Sequence, residues 1–284
     1  MKEITVLKTA CQVEKTVDHW RNAGMKVGFV PTMGALHRGH LSLVSLAVEE
    51  TDRVIVSIFV NPSQFGPGED LESYPRTFDE DLVKLNDAGA HCVFFPSVEE
   101  IYPQGFSTSV SVGGLTETLC GKYRPGHFDG VTTVCAVLFG IVRPDIAVFG
   151  SKDAQQLAVV RRLVSDLRLG IKILAGDTVR EPDGLAMSSR NAYLSTEERE
   201  QAAVINRGLL TASGMLSQGE RDAERICDEV RKVIAAAPLA SIQYLELVDP
   251  DSMKPVKTLR APALLAIAVY FGNTRLIDNV VLKP

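Results

Sequence analysis

The feature that most constrains this chain is the alternation, up to about residue 176, of short apolar runs with longer helical patterns. The runs occupy 27–31, 54–60, 91–96, 145–150 and 171–174. Each is apolar nearly throughout, as a parallel strand covered on both faces requires. Between them, 40–50, 77–88, 131–142 and 154–167 carry helical spacing. The alternation predicts an α/β fold with a doubly wound, Rossmann-like parallel sheet. Such sheets take their ligands beyond the carboxyl ends of the strands, where the winding reverses. The loops after the first and fourth runs, 31–34 and 150–153, are therefore where chemistry is expected.

Beyond residue 177 the pattern changes. Ser195-Thr196-Glu197-Glu198 reads as a capping box opening a helix that runs towards Ser217. A polar break at 218–222 precedes a second helix over 221–237, with Ile226, Val230, Val233 and Ile234 on one face. Three strands are expected at 242–248, 264–270 and 276–282. The chain is thus read as a Rossmann-like domain over 1–177 binding the main ligands, and a small α+β domain over 178–284 covering the active site.

Composition narrows the class. The apolar fraction of 45% suits a globular core, and the formal charge of -5 argues against a nucleic-acid partner. A local basic pocket remains compatible with that charge. The longest apolar runs fall well short of the ~20 residues a membrane helix needs, so no membrane partner is expected. Residues 1–10 lack the apolar segment of a signal peptide. Cys11, Cys92, Cys120, Cys135 and Cys227 are scattered and odd in number, which favours reduced thiols and a cytoplasmic location.

Four segments can carry chemistry. In Pro31-Thr-Met-Gly-Ala-Leu-His-Arg-Gly-His40, a strand enters a turn at Gly34 and a helix begins near His40. A helix N-terminus attracts anions, and His37 and His40, three apart, can face one side of its first turn. The plainer alternative is a capping turn with two exposed histidines. In Phe149-Gly-Ser-Lys-Asp-Ala-Gln-Gln156, Lys152 offers a point charge for phosphate, Asp153 suits ribose hydroxyls, and Gln156 follows one helical turn later. In Met187-Ser-Ser-Arg-Asn191, two hydroxyls and a guanidinium resemble a phosphate clamp. In Val60-Asn-Pro-Ser-Gln-Phe65, Asn61 and Gln64 supply neutral donors and acceptors at a strand end. A fifth polar segment, 124–130, leaves a lid, a helix entrance and a subunit contact all open. The P-loop, the dinucleotide fingerprint, H-E-x-x-H and G-x-S-x-G are absent.

Together these segments resemble the nucleotidyltransferase superfamily, where an H-x-G-H turn and a later K-M-S-K-S-type loop grip ATP. Within it, the chain is similar to the pantothenate synthetase family. That family carries P-T-M-G-x-L-H-x-G-H, V-N-P-x-Q-F, Y-P-R-T, R-P-G-H-F, F-G-x-K-D-x-Q-Q and S-S-R-N. They occur here in order at 31–40, 60–65, 74–77, 124–128, 149–156 and 188–191.

The resemblance implies ATP-dependent condensation of (R)-pantoate with β-alanine, giving pantothenate, AMP and pyrophosphate through a pantoyl-adenylate. It implies that His37 and His40 meet the ATP phosphates, with His40 the proton donor to the leaving group. Lys152, Ser188, Ser189 and Arg190 would stabilise phosphate charge, and Asp153 would hold the ribose. Met33, Gly34, Gly150, Ser151, Val179 and Met187 would line the nucleotide, Gly150 and Val179 through their backbone. Gln64 and Gln156 would hold pantoate, with Asn61 beside them. Mg2+ is expected with ATP, its protein ligands unassigned, and a homodimer is implied. The competing readings are another nucleotidyltransferase or amino-acid synthetase, and a nucleotide sensor without catalysis.

Overall fold

A computed structural model describes residues 4–284. The chain divides into two compact units. The first holds the residues up to Val112, Arg124–Ser151 and Val159–Asp177; the second holds Gly113–Tyr123, Lys152–Ala158 and Thr178–Pro284. The division expected from sequence was one cut after residue 177. Here the second unit also takes two earlier segments, and one of them carries Lys152 and Asp153.

In the first unit, six strands form one parallel sheet: β1 (Thr5–Leu7), β2 (Val27–Thr32), β3 (Arg53–Ile58), β4 (Cys92–Phe94), β5 (Ile146–Gly150) and β6 (Lys172–Gly176). Their order is β1-β4-β3-β2-β5-β6. The connecting helices are α1 (Ala10–Asn22), α2 (Arg38–Glu50), α3 (Phe78–Asp87), α4 (Val98–Ile101), α6 (His127–Val142) and α7 (Ala154–Asp166), with α5 (Leu119–Tyr123) and the start of α7, up to Ala158, in the second unit. The expected alternation holds, and β2 to β5 are buried nearly throughout. Four elements escaped the sequence reading: the short helices α4 and α5, and the two that precede the first apolar run. β1 is only three residues long, too short to show a period, and pairs at the sheet edge with β4. α1 precedes the first apolar run and is closed by a Thr9–Gln12 capping box. The two loops of interest consequently follow the second and fifth strands. β2 pairs with β5, through Gly28 with Ile146 and Phe29 with Ala147. Winding proceeds outward from β2 to β3 on one side and from β5 to β6 on the other, so the β2–β5 pair is the switch point.

α6 begins four residues earlier than expected, at His127, after Gly126 in the left-handed region.

In the second unit, β7 (Ala240–Val248), β8 (Ala263–Phe271) and β9 (Thr274–Leu282) form an antiparallel sheet in the order β7-β8-β9. α10 (Ala223–Ala235) starts at the Asp222 cap and buries Ile226, Val230 and Ile234. These join Leu245 and Leu247 of β7 and Leu265, Ile267 and Val269 of β8 in one core. The Ser195 capping box forms with Glu198 as expected. The helix it opens is not continuous: α8 (Thr196–Ala202) stops at Ala203 and α9 (Val204–Ser217) follows. Ala202, Ala203, Val204 and Ile205 are all buried. Four successive residues cannot share one face of an unbroken helix, so packing overrides local propensity here.

Candidate active site

The turn after β2 combines backbone N–H groups of a helix N-terminus with two imidazoles. His37 caps α2: its Nδ1 accepts the Gly39 N–H at 3.1 Å, while His40 Nδ1 accepts the His37 N–H at 3.4 Å. The rings lie 4.0 Å apart between centroids. With both Nδ1 atoms accepting, the neutral rings carry their protons on Nε2. The capping role and the anion-binding role are thus compatible, since each uses a different ring nitrogen.

The turn is held from below. Gly34 has a φ of 84°, and a Cβ there would approach the Ile58 Cγ2 to 3.0 Å. Ala35 also takes a positive φ, 51°. The fully buried Asp81 accepts the N–H of Ala35 and of Leu36, each at 2.8 Å. Lys84 Nζ donates to the Leu36 carbonyl at 3.0 Å and lies 3.8 Å from Asp81. Thr32 Oγ donates to the Ser57 carbonyl across β2 and β3. At the adjacent end of β5, Gly150 closes the strand and Ser151 opens the next turn, so both sit at the switch point.

The amide pair also lies in the first unit. Asn61 is buried and caps the 3-10 turn Pro62–Gln64. Its Nδ2 donates to Gln64 Oε1 at 3.0 Å and to the Gly130 carbonyl at 3.1 Å, and its Oδ1 accepts from Ser63 and Tyr102. Asn61 therefore orients Gln64. Gln64 Nε2 contacts Met33 Sδ at 3.2 Å, which ties the amide to the turn after β2. The Tyr102 hydroxyl is pushed up by burial, against the lowering effect of Ser63 and Asn61. In the 74–77 motif, Arg76 donates to the carbonyls of Leu71, Glu72 and Tyr74, a loop-closing role.

The segment 124–130 proves to be a helix entrance whose side chains turn back onto Gln64. His127 Nδ1 lies 2.8 Å from the Gln64 carbonyl, and Arg124 pairs with Glu69. Burial opposes ionisation of Glu69, but the hydrogen bond and charge of Arg124 prevail and hold its carboxyl below the usual range.

The second unit carries the remaining candidates. Burial pushes the Lys152 ammonium below the usual lysine range, opposed by Asp153 and Asp278 and reinforced by Arg190. Asn279 Nδ2 donates to the Lys152 carbonyl at 2.8 Å. The buried Asp278 is gripped by both guanidinium nitrogens of Arg180, at 2.6 and 3.0 Å. The Met187 N–H donates to the Val179 carbonyl at 3.0 Å, bringing those two together. Ser188 caps the turn Ser189–Tyr193 by accepting the Arg190 N–H. Asp153 is exposed and Gln156 half-buried. The neighbouring Gln155 is buried and bonds Leu115, Thr118 and Cys120.

Sequence reasoning missed Asp81, Lys84, Glu69, Arg180, Asp278 and Asn279. Apart from the Asp81–Lys84 pair on one helix, their partners lie far along the chain, where no local spacing marks them.

Residues 5–281 match the family model described as pantoate–β-alanine ligase. The chain is 51% identical over 268 residues to a pantothenate synthetase of Thermoanaerobacter sp. (strain X514), covering 94% of this chain and 95% of that one. It is similar to the crystal structure of pantothenate synthetase from Thermus thermophilus, with a TM-score of 0.95, 44% identity, and 99% and 100% of the two chains covered. It is also similar to a pantoate–β-alanine ligase from Francisella tularensis solved with beta-gamma ATP and β-alanine, with a TM-score of 0.78 and 33% identity over 98% and 97% of the chains.

Proposed function

The chain belongs to the pantoate–β-alanine ligase family, and from that membership we propose that it joins (R)-pantoate to β-alanine with conversion of ATP to AMP and pyrophosphate. The observation that carries the reading to this chain's own residues is the Met33–Gln64 contact. It ties a neutral amide, suited to a hydroxy acid, to the turn whose imidazoles suit a polyphosphate.

The reaction divides into two displacements. A pantoate carboxylate oxygen bonds to the α-phosphorus, and the bond to the pyrophosphate oxygen breaks, leaving pantoyl-adenylate. The β-alanine amine then bonds to the acyl carbon, AMP departs with the electrons of the acyl–oxygen bond, and the amine loses a proton. Neither step requires a protein nucleophile, so positioning and charge stabilisation supply the rate.

In this reading, His37 and His40 donate Nε2–H groups to phosphate oxygens at the α2 N-terminus, and His40 protonates the leaving pyrophosphate. Lys152, Ser188, Ser189 and Arg190 stabilise phosphate charge, and Asp153 holds the ribose. Met33, Gly34, Gly150, Ser151, Val179 and Met187 line the nucleotide. Gln64 and Gln156 hold pantoate, and Asn61 acts by orienting the Gln64 amide. Among the described residues no group of three or more His, Cys, Asp or Glu side chains could hold a metal ion. Mg2+ would arrive on the ATP phosphates, its protein ligands unassigned, and no step above is assigned to it. The five cysteines, none of them in a disulfide, support a cytoplasmic location. Among the described residues no helix is long and apolar enough to cross a membrane. A homodimer is part of the proposal, to be checked by sedimentation.

The deciding experiment is exchange of labelled pyrophosphate into ATP. Exchange should require pantoate alone, and β-alanine should then release AMP and pantothenate. Exchange that ignores pantoate, or that responds to an amino acid, would overturn the reading. ATP binding without any exchange would favour a sensor.

A further inference from the structure

Gln64 is held through its main chain as firmly as through its amide, and the groups that hold it have no other assigned role. The Gln64 carbonyl accepts from His127 Nδ1 at 2.8 Å and from Arg124 Nη2 at 3.3 Å. Arg124 Nη1 lies 3.0 Å from His127 Nε2. A guanidinium only donates and a carbonyl only accepts. The ring must therefore accept at Nε2 and donate at Nδ1, and a single neutral tautomer satisfies both contacts.

Glu69 completes the chain of contacts. Its Oε1 accepts Arg124 Nε at 2.6 Å and its Oε2 accepts Nη2, the bidentate geometry that fixes a guanidinium plane. The pair is largely withdrawn from solvent, with side-chain exposures of 14% for Arg124 and 25% for Glu69. With its plane fixed by Glu69, Arg124 presents Nη1 to the imidazole and Nη2 to the carbonyl at once.

The turn needs this support. Pro62–Gln64 is one turn of 3-10 helix, closed by a single bond from the Phe65 N–H to the Pro62 carbonyl at 3.2 Å. Such short turns have poor internal geometry and little stability of their own. A displacement of about 1 Å in a positioning group can cost about 10²-fold in rate, so a substrate amide on this turn requires an external clamp.

We propose that Glu69, Arg124 and His127 are positioning residues for pantoate, a relay that acts solely by fixing the main chain of Gln64. The proposal rests on the reading of Gln64 as a pantoate ligand. It adds three residues and a direction of dependence to that reading: Glu69 orients Arg124, Arg124 selects the His127 tautomer, and both donors fix the carbonyl.

The test is a double-mutant cycle on full-length protein, read as KM for pantoate and KM for ATP. His127→Ala and Arg124→Lys should each raise pantoate KM about ten-fold, with ATP KM within about two-fold, because only one substrate's ligand moves. His127→Asn, whose Nδ2 can stand near the ring Nδ1, should restore pantoate KM most of the way. In a Gln64→Ala background, adding His127→Ala should leave pantoate KM where Gln64→Ala put it, since a residue that works through Gln64 has nothing left to act on. Additive effects would overturn the proposal by showing direct substrate contact. An equal rise in ATP KM, or no rescue by His127→Asn, would reduce the relay to a structural support. An unchanged pantoate KM in His127→Ala beside a raised one in Gln64→Ala would sink the relay and spare the ligand. An unchanged pantoate KM in Gln64→Ala itself would reject the Gln64 reading, and the relay with it.

Discussion

The buried carboxylate of Asp81 accepts the main-chain N–H of Leu36 at 2.8 Å, and its second oxygen accepts that of Ala35 at the same distance. A helix residue thereby braces a turn in which Ala35 adopts a positive φ, a conformation costing about 1–3 kcal/mol for a side chain of this kind. Asp81→Ala removes both acceptors at once. Each orphaned N–H costs about 1–3 kcal/mol, so the melting temperature should fall and ATP KM should rise in the protein that remains folded. Asp81→Asn, which keeps one acceptor, should lie between. An unchanged ATP KM in folded Asp81→Ala would separate this brace from the phosphate turn.

His40→Ala should depress pantoate-dependent pyrophosphate exchange by about 10²-fold, the usual scale for a lost charge-stabilising donor. The same change also removes a cap contact of α2, worth about 1 kcal/mol of stability. A large loss of exchange with a small loss of melting temperature is therefore expected. Normal exchange would remove His40 from the leaving-group role.

Lys152 predicts a pH effect whose sign can be worked out. Burial lowers its pKa, so the folded protein releases this proton at a lower pH than the unfolded chain does. From the folded pKa up to about 10.4, the unfolded state binds more protons and stability contributed by this group rises with pH. Phosphate attraction falls over the same window. Hence kcat/KM for ATP should decline on the alkaline side before a pH of about 10.4 is reached. Lys152→Arg keeps its charge and should move that limb upward. An identical limb in both proteins would assign it to another group.

Gly130→Ala should impair pantoate use with little change in ATP use. A Cβ on Gly130 would fall 2.4 Å from the Ser63 carbonyl oxygen and 2.6 Å from the Gln64 nitrogen, both main-chain atoms that cannot rotate away. The turn Pro62–Gln64 must shift to admit it. Steady-state KM values for the two substrates check this, and equal values to wild type would mean that α6 yields instead.

Of the five cysteines, Cys11 is exposed and the other four are buried, with the Cys135 thiol pushed up to about 12 by desolvation. An aromatic disulfide reagent at neutral pH should titrate one thiol rapidly in the native protein and the rest only on unfolding, with activity retained. Inactivation accompanying the fast phase would place Cys11 nearer the chemistry than the structure does.

Some of this was local enough to read directly. Apolar runs separated by helical spacing announce a parallel sheet, because both periods are set by backbone geometry within a few residues. The Ser195–Glu198 box formed as read, for the same reason. His37 and His40 share a helical turn, and a spacing of three is enough to bring their rings together. The loop motifs that mark the family are contiguous as well.

Folding in three dimensions decided what no window contains. β1 was hidden by its length, and the helix expected from 196 to 217 was broken by core packing around Ala203. The segment 124–130 left three readings open in the sequence, and its spacing gave no sign that His127 and Arg124 turn onto Gln64. Asp81 beneath Leu36, Glu69 beneath Arg124 and Asn279 on the Lys152 carbonyl join residues distant in the chain. Hydrogen bonds of that kind are selected by where folding brings donor and acceptor, and leave no periodic trace. The candidate site residues stand in local motifs that the sequence alone determined; the tertiary structure decided which buried groups hold them still.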